Sequence, residues 1–202
     1  MIVDYGLGNI GAFANVYKRM NVPATVARTA AELEGAHRII LPGVGAFDHA
    51  MDLLDASGMR GTLEDHVVRR KTPVVGICVG MQMLALGSDE GEREGLGWIP
   101  ARVRHFSAAP EAAGLPLPHM GWNDVRPAPD QPLFAGLETA ARFYFLHSFY
   151  FECEQAEHVA ATADYGLEFA CAVRNDNVSG VQFHPEKSHH FGAALLKNFA
   201  DI

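Results

Sequence analysis

Four short apolar runs rich in β-branched residues, "MIVD", "ATVAR", "RIILPG" and "PVVGIC", fall within the first 78 residues, and a helix-like stretch separates each from the next. "LGNIGAFANVYKRM" follows the first run, "AAELEGA" the second, and a longer helical region from Ala46 to Lys71, interrupted by "SGMRG", follows the third. After the fourth comes "VGMQMLALG", with Met81, Leu84 and Ala85 at helical spacing. Strands that alternate with helices predict βαβ units, a parallel sheet, and helices on both faces. In such sheets ligands bind in crevices at the strand ends.

The second half changes texture. "ARVRHF", "HMGWNDV", "ARFYFLHSFYF", "HVAATADYG", "FACAVRNDN" and "VSGVQFHP" read as strands, and "VRNDNVSG" reads as a hairpin turn. "SAAPEAAGLPLP" reads as a surface loop, and "HFGAALLKNFADI" as a closing helix. The expectation is one α/β domain over residues 1–202, with a mixed, largely parallel central sheet and an added antiparallel part.

The net charge of −8 argues against nucleic acid as a partner, which favours a basic surface. No apolar run approaches the ~20 residues needed to cross a bilayer. The start, "MIVDYGLGNIG", lacks a basic leader, so no membrane association is expected. Cys78, Cys153 and Cys171 lie far apart, which suits a reducing cytoplasm and neither a disulfide framework nor a zinc site. The ten histidines are scattered, and the adjacent His189 and His190 read as a helix start. No metal and no cofactor is expected.

Cys78 stands where the fourth strand meets its helix, with Gly76 and Gly80 two positions to either side. A sharp strand-to-helix turn exposes the residue at its apex in strained backbone geometry, and side chains on the flanking positions would collide. The helix start aims free N–H groups at the sulfur, which favours thiolate. The Val79 N–H is placed to donate to an oxyanion. A buried core cysteine, the reading for Cys153 and Cys171, explains the paired glycines poorly. The candidate base is His184 in "GVQFHPEKS": it ends a strand, Pro185 stops further pairing, and Glu186 two positions on shares its face. A carboxylate there fixes the imidazole tautomer and stabilises the imidazolium. "LPGVGAF" ends another strand with glycines that leave N–H groups open to an anion. Gly6, Gly8 and Gly11 match G-x-G-x-x-G, but the second strand ends on Arg28 where a ribose-binding acid would stand. A tight turn facing a partner protein is the alternative there.

"GICVGMQML" and "GVQFHPEKS", with "LPGVGAF", resemble the class I (triad-type) glutamine amidotransferases, and the resemblance covers the whole chain. "VDYGLGN", "HMGWN", "FYFLHSFY", "ATADYG" and "HPEKS" together resemble the glutaminase subunits of imidazole glycerol phosphate synthases, which serve histidine biosynthesis. The resemblance implies Cys78 as nucleophile, His184 as general acid and base, and Glu186 as its orienter. It implies an oxyanion hole from Val79 and the Gly43-Val44 peptide. It implies that Gly45, Gln82, Glu90, His147, Ser148 and Phe149 hold glutamine. Phe149 stands where the family usually has tyrosine, and Val79 and Met83 where leucine is common. The implied partner is a (β/α)8-barrel cyclase subunit in a heterodimer, met by "DYGLGNIG" and by "HMGWN" with Trp122, whose other reading is core packing. Other readings are the same glutaminase chemistry serving a different synthase, a cysteine peptidase, a non-catalytic regulatory subunit, and a nucleotide-binding protein.

Overall fold

A computed structural model describes residues 1–202. The first half alternates as its apolar runs require. It comprises β1 (Ile2–Val3), α1 (Ile10–Arg19), β2 (Val26–Ala27), α2 (Ala30–Leu33), β3 (Ile39–Gly43), α3 (Phe47–Ala56), α4 (Arg60–Glu64), β4 (Val74–Cys78) and α5 (Val79–Gln82). Lys18 and Arg19 sit in the last turn of α1, where positive charge offsets the helix dipole. The Thr29 hydroxyl caps α2 by accepting from the Glu32 N–H at 3.2 Å.

The second half is mostly strand: β5 (Gly87–Ser88), β6 (Ala101–His105), β7 (His119–Pro127), β8 (Ala141–His147), β9 (Phe149–Cys153), β10 (Val159–Tyr165), β11 (Leu167–Asn175) and β12 (Val178–Val181). The closing helix is α6 (His189–Asp201). The sheet runs β2-β1-β3-β4-β12-β11-β10-β7-β8, with β5, β6 and β9 branching from β11. Pairing is parallel from β2 through β12 and antiparallel from β12 to β8. The expected mixed sheet is therefore present, with a large antiparallel part. Every residue of β3, β4 and β12 is buried, so both faces of the parallel centre are covered. The Tyr17 hydroxyl of α1 donates to the Leu196 carbonyl of α6 at 2.9 Å, tying these helices together. The hairpin between β11 and β12 turns on Asp176 and Asn177 as expected, with φ +53° at Asp176.

Three local expectations change. The helix after Cys78 is one turn long rather than running on to Gly87. The carbonyls of Met83, Leu84 and Ala85 accept from the N–H groups of Leu96, Ile99 and Gly97, so they cannot extend it. The run "ARFYFLHSFYF" is two strands, because β8 pairs with β7 while β9 pairs with β6 and β11, and the chain changes partners at Ser148. The alanine- and proline-rich segment carries two 3-10 turns, Phe106–Ala108 and Pro110–Ala112, and buries Ala109 and Ala112.

Candidate active site

Cys78 ends β4 at φ +56°, ψ −114°, a conformation that an L residue adopts only when its surroundings compel it. Its neighbours supply the compulsion. The β3–β4 register sets Gly43 beside Cys78, and α5 folds back over both strand ends. A Cβ on Gly76 would strike the Gly80 carbonyl, one on Gly80 would strike the Leu41 carbonyl, and one on Gly43 would strike the Gly80 nitrogen. The obstacles are all backbone, so the glycines are steric necessities of the turn that raises the sulfur.

β12 lies on the other side of β4, its Val181 opposite Ile77. Three residues beyond, His184 is fixed by its own N–H to the Tyr144 carbonyl at 2.9 Å, while its carbonyl accepts from the Ser188 hydroxyl at 2.7 Å. Its Nδ1 lies 2.9 Å from Glu186 Oε1, and both side chains are buried, 5% and 2% exposed. With Nδ1 committed to the carboxylate, Nε2 is left for the Cys78 sulfur. Burial alone would lower the His184 pKa, but the interactions with Cys78 and Glu186 outweigh it and raise the imidazole to about 9. Such a histidine is charged at neutral pH and can give up a proton.

Cys78 and His184 line one cleft of about 320 Å³, the scale of a small-ligand site, and Glu186 sits outside its lining. Val44, Gly45, Val79, Gln82, Glu90, His147, Ser148 and Phe149 line the same cleft. Gly43 does not line it; it sits behind, where the Gly43-Val44 peptide begins. Gly45 has φ +84° and turns the chain toward α3. Glu90 reaches that turn, its Oε2 accepting from the Phe47 N–H at 2.8 Å. The Phe149 ring packs edge-on against His105, with centroids 4.7 Å apart.

Gln82, expected to help hold the substrate, lines the cleft and also engages a neighbouring side chain. Its Nε2 donates to Gln182 Oε1 at 3.1 Å, and Gln182 in turn points Nε2 at the Cys78 sulfur from 3.8 Å. Gln182 was not foreseen. It stands two residues before His184, the spacing that puts alternate residues of an extended chain on one face, and that was the available signal. Pro118, Leu146 and Lys187 also line the cleft; the last two fall within the quoted motifs "FYFLHSFY" and "HPEKS", while Pro118 carries no such signal.

The other candidates resolve simply. Cys153 and Cys171 are unpaired, and burial raises both thiols, Cys153 to about 12, so neither competes with Cys78. Gly8 of the glycine triplet packs against Pro42, where a Cβ would come within 2.7 Å of the ring, and Arg28 pairs with Asp4 at 3.2 Å. Gly6 and Gly8, both at positive φ, turn the chain tightly with Gly8 against β3, while Gly11 lies within α1. No cluster of three or more potential metal ligands is present. His189 opens α6, as expected, and its ring stacks on Trp122, 5.4 Å between centroids. Trp122 is 40% exposed, which removes the core-packing reading.

The family profile "Glutamine amidotransferase class-I" matches residues 1–202. The chain is 66% identical over 201 residues to "Imidazole glycerol phosphate synthase subunit HisH" of Bdellovibrio bacteriovorus, an alignment covering 100% of this chain and 98% of that protein. It is 52% identical, with the same coverage, to the protein of the same name in Leptospira interrogans. Among solved structures, one titled "Crystal structure of glutamine amidotransferase" superposes with a TM-score of 0.76 at 21% identity, covering 100% of this chain and 99% of that one. A glutamine amidotransferase from Thermotoga maritima superposes at 0.65 and 17% identity, covering 99% of this chain and 81% of that one. At those identities the structures speak for the fold alone.

Proposed function

This chain belongs to the class I glutamine amidotransferases, and we propose that it is the glutaminase subunit of an imidazole glycerol phosphate synthase, acting as a single domain over residues 1–202. Its relatives at 66% and 52% identity carry that subunit's name over essentially their full length. The observation that carries the chemistry is the strained Cys78 sharing one cleft with His184, whose Nδ1 is engaged by the buried Glu186.

In this reading the Cys78 sulfur attacks the side-chain carboxamide carbon of glutamine. The N–H groups of Val79 and of the Gly43-Val44 peptide receive the developing oxyanion; one such donor is typically worth about 10²–10³ in rate. The His184 imidazolium gives its proton to the leaving nitrogen, ammonia departs, and a γ-glutamyl thioester remains on Cys78. His184, now neutral, takes a proton from water, whose oxygen attacks the thioester and releases glutamate and the thiol. Glu186 holds the ring so that Nε2 faces the reaction throughout. Gln82 and Gln182 form an amide chain that donates toward the sulfur and orients it in the cleft. Gly45, Glu90 and residues 147–149 hold the substrate's amino-acid end.

Ammonia released into neutral water takes up a proton and ceases to be a nucleophile. Delivery therefore calls for a cover over the cleft, and the reading supplies it as a (β/α)8-barrel cyclase. Met120, Trp122 and Leu146, at 65%, 40% and 37% exposure, form an apolar patch on the outward face of β7 and β8. Met120 and Leu146 are register partners, and Leu146 lines the cleft mouth, so a partner seated there closes the site. The setting fits the cytoplasm: the three cysteines are unpaired, and no helix is long and apolar enough to cross a membrane.

The test is glutamate release by the subunit–cyclase complex with and without Cys78→Ala. The variant is expected to lose glutamine-dependent turnover while the complex still uses added ammonium. Undiminished glutamate release would overturn the assignment.

A further inference from the structure

We propose that His119 and Asn123 are positioning residues for the glutamine site: a one-way chain of hydrogen bonds runs from them through His147 to the Phe149 carbonyl, holding both imidazoles in one neutral tautomer and that carbonyl in one orientation. The proposal deepens the glutaminase reading and rests on it for the identity of the substrate.

Backbone groups set the direction of the chain at both ends. At one end the Asp124 N–H donates to Asn123 Oδ1 at 2.8 Å, so Asn123 Nδ2 is the donor, and it reaches His119 Nε2 at 3.3 Å and the Asp164 carbonyl at 2.7 Å. At the other end His147 Nδ1 lies 2.7 Å from the Phe149 carbonyl, which only accepts, so that nitrogen carries the proton. Between them His119 Nδ1 lies 2.9 Å from His147 Nε2. Only one arrangement satisfies every contact. Asn123 donates to His119 Nε2, His119 Nδ1–H donates to His147 Nε2, and His147 Nδ1–H donates to Phe149. An additional proton on either ring would set an N–H against an N–H.

The surroundings enforce the same state. His119 and His147 are buried, and the His119 ring stacks on Tyr165 and Phe145 at centroid distances of 4.1 and 4.8 Å. Burial lowers the pKa of His119 to about 4. Burial, with His184 and His119 nearby, lowers His147 to about 3. The titratable groups facing the pair are Tyr165 at the end of β10 and His184 beyond β12, while Glu90 and Lys187 share the cleft with His147. A neutral His147 leaves the imidazolium charge of the cleft on His184 alone.

What the chain holds is the point where β8 ends and β9 begins. The Ser148–Phe149 segment lines the cleft, and the Phe149 carbonyl has a second lone pair beyond the one that His147 engages. A carbonyl held in one orientation on a cleft-lining residue suits recognition of an ammonium group, such as the α-ammonium of an amino-acid substrate.

Asn123→Asp tests the chain with almost no change of shape. A carboxylate cannot donate, so His119 Nε2 must carry a proton. Its Nδ1 lone pair then faces the His147 Nε2 lone pair, or the ring takes a charge.

The measurement pairs nitrogen-15 NMR of the imidazoles in the full-length chain with glutamine kinetics of the subunit–cyclase complex. His119 is identified by its contacts to the Tyr165 and Phe145 rings, and His147 by its contact to His119. Both rings in the unaltered chain are expected as Nδ1–H tautomers that do not titrate between about pH 5 and 9. In the complex, Asn123→Asp and Asn123→Ala are each expected to raise the glutamine KM about tenfold while kcat changes less than about threefold. An Nε2–H tautomer or a titration near pH 6.5 for either ring overturns the proposal, as does an unchanged KM in both variants. Absence of glutaminase activity in the unaltered complex would instead remove the enzymatic reading and leave the tautomer result standing.

Discussion

Gly43→Ala separates the two halves of the proposed oxyanion hole from the triad. A Cβ on Gly43 would lie within 3.0 Å of two α5 backbone atoms, the Gly80 nitrogen and the Val79 carbonyl carbon. Neither belongs to a flexible side chain, so the strain moves main chain. The two peptides free to move, Gly43-Val44 and Val79-Gly80, are those that carry or adjoin the proposed donors. Overpacking of this kind costs about 1–3 kcal/mol. For a chain of this length each kcal/mol lowers the melting temperature by about 2–4 °C, which leaves a folded protein. Loss of one oxyanion donor is worth about 10²–10³ in kcat, so catalysis is expected to suffer far more than stability. The glutamine KM is expected to stay within about threefold, because the donors act on the transition state rather than on bound substrate. The assay is glutamate release by the complex with the cyclase, beside thermal unfolding of the subunit. Gly61→Ala, a helical position with nothing within 4 Å of the added methyl, serves as control and is expected to leave both measurements near wild type. A Gly43→Ala enzyme with normal kcat and a normal melting temperature would refute the close-approach argument. A normal kcat at a lowered melting temperature would refute the oxyanion assignment alone.

The raised His184 pKa makes stability pH-dependent. Because the folded value, about 9, lies above the unfolded 6.5, this group's stabilisation is complete below pH 6.5 and is lost as pH rises through 9. Melting temperature is expected to fall across that window, and Cys78→Ala with Glu186→Gln is expected to flatten the fall; an equally steep profile in the double variant would contradict it. Iodoacetamide followed by mass spectrometry is expected to label Cys78 well before Cys153 or Cys171, whose thiols burial holds protonated, and equal rates would refute the contrast. Trp122→Ala is expected to weaken cyclase binding by about 2 kcal/mol or more, roughly thirtyfold in Kd by titration calorimetry, and unchanged affinity would move the interface elsewhere.

Why the proposed triad residues were legible in sequence, and the groups around them were not, follows from where each constraint resides. Cys78, His184 and Glu186 advertise themselves because each is bound to a local backbone requirement: a glycine-flanked turn for the thiol, a strand end and Pro185 for the imidazole, a two-residue spacing for the acid. Gly76 and Gly80 were legible for the same reason. Pro118 has no such local signature, because its place in the cleft depends on how β7 pairs with β8. The β7–β8 register sets His119 opposite His147, 28 positions away, and no spacing within "HMGWN" announces it. The shortness of α5 was hidden likewise, because the carbonyls that end it are claimed by residues 96–99 across a loop.

The same logic explains why the proposed chemistry sits on β4. Neighbouring strands lie about 4.8 Å apart, so a residue at the end of one strand is within reach of groups ending the strands on either side. β3 ends in register with Cys78 and continues into the Gly43-Val44 peptide; β12 ends one residue pair short, at Val181 opposite Ile77, and continues to His184. Three adjacent parallel strands thus bring the proposed oxyanion-binding peptide, the sulfur and the imidazole to one edge of the sheet, though these groups are 35 and 106 residues apart along the chain. Reversing either neighbour would bring its opposite end to that edge. The all-buried parallel centre is therefore a requirement of the site as well as of the core, and the antiparallel strands are free to carry substrate contacts and the exposed partner face.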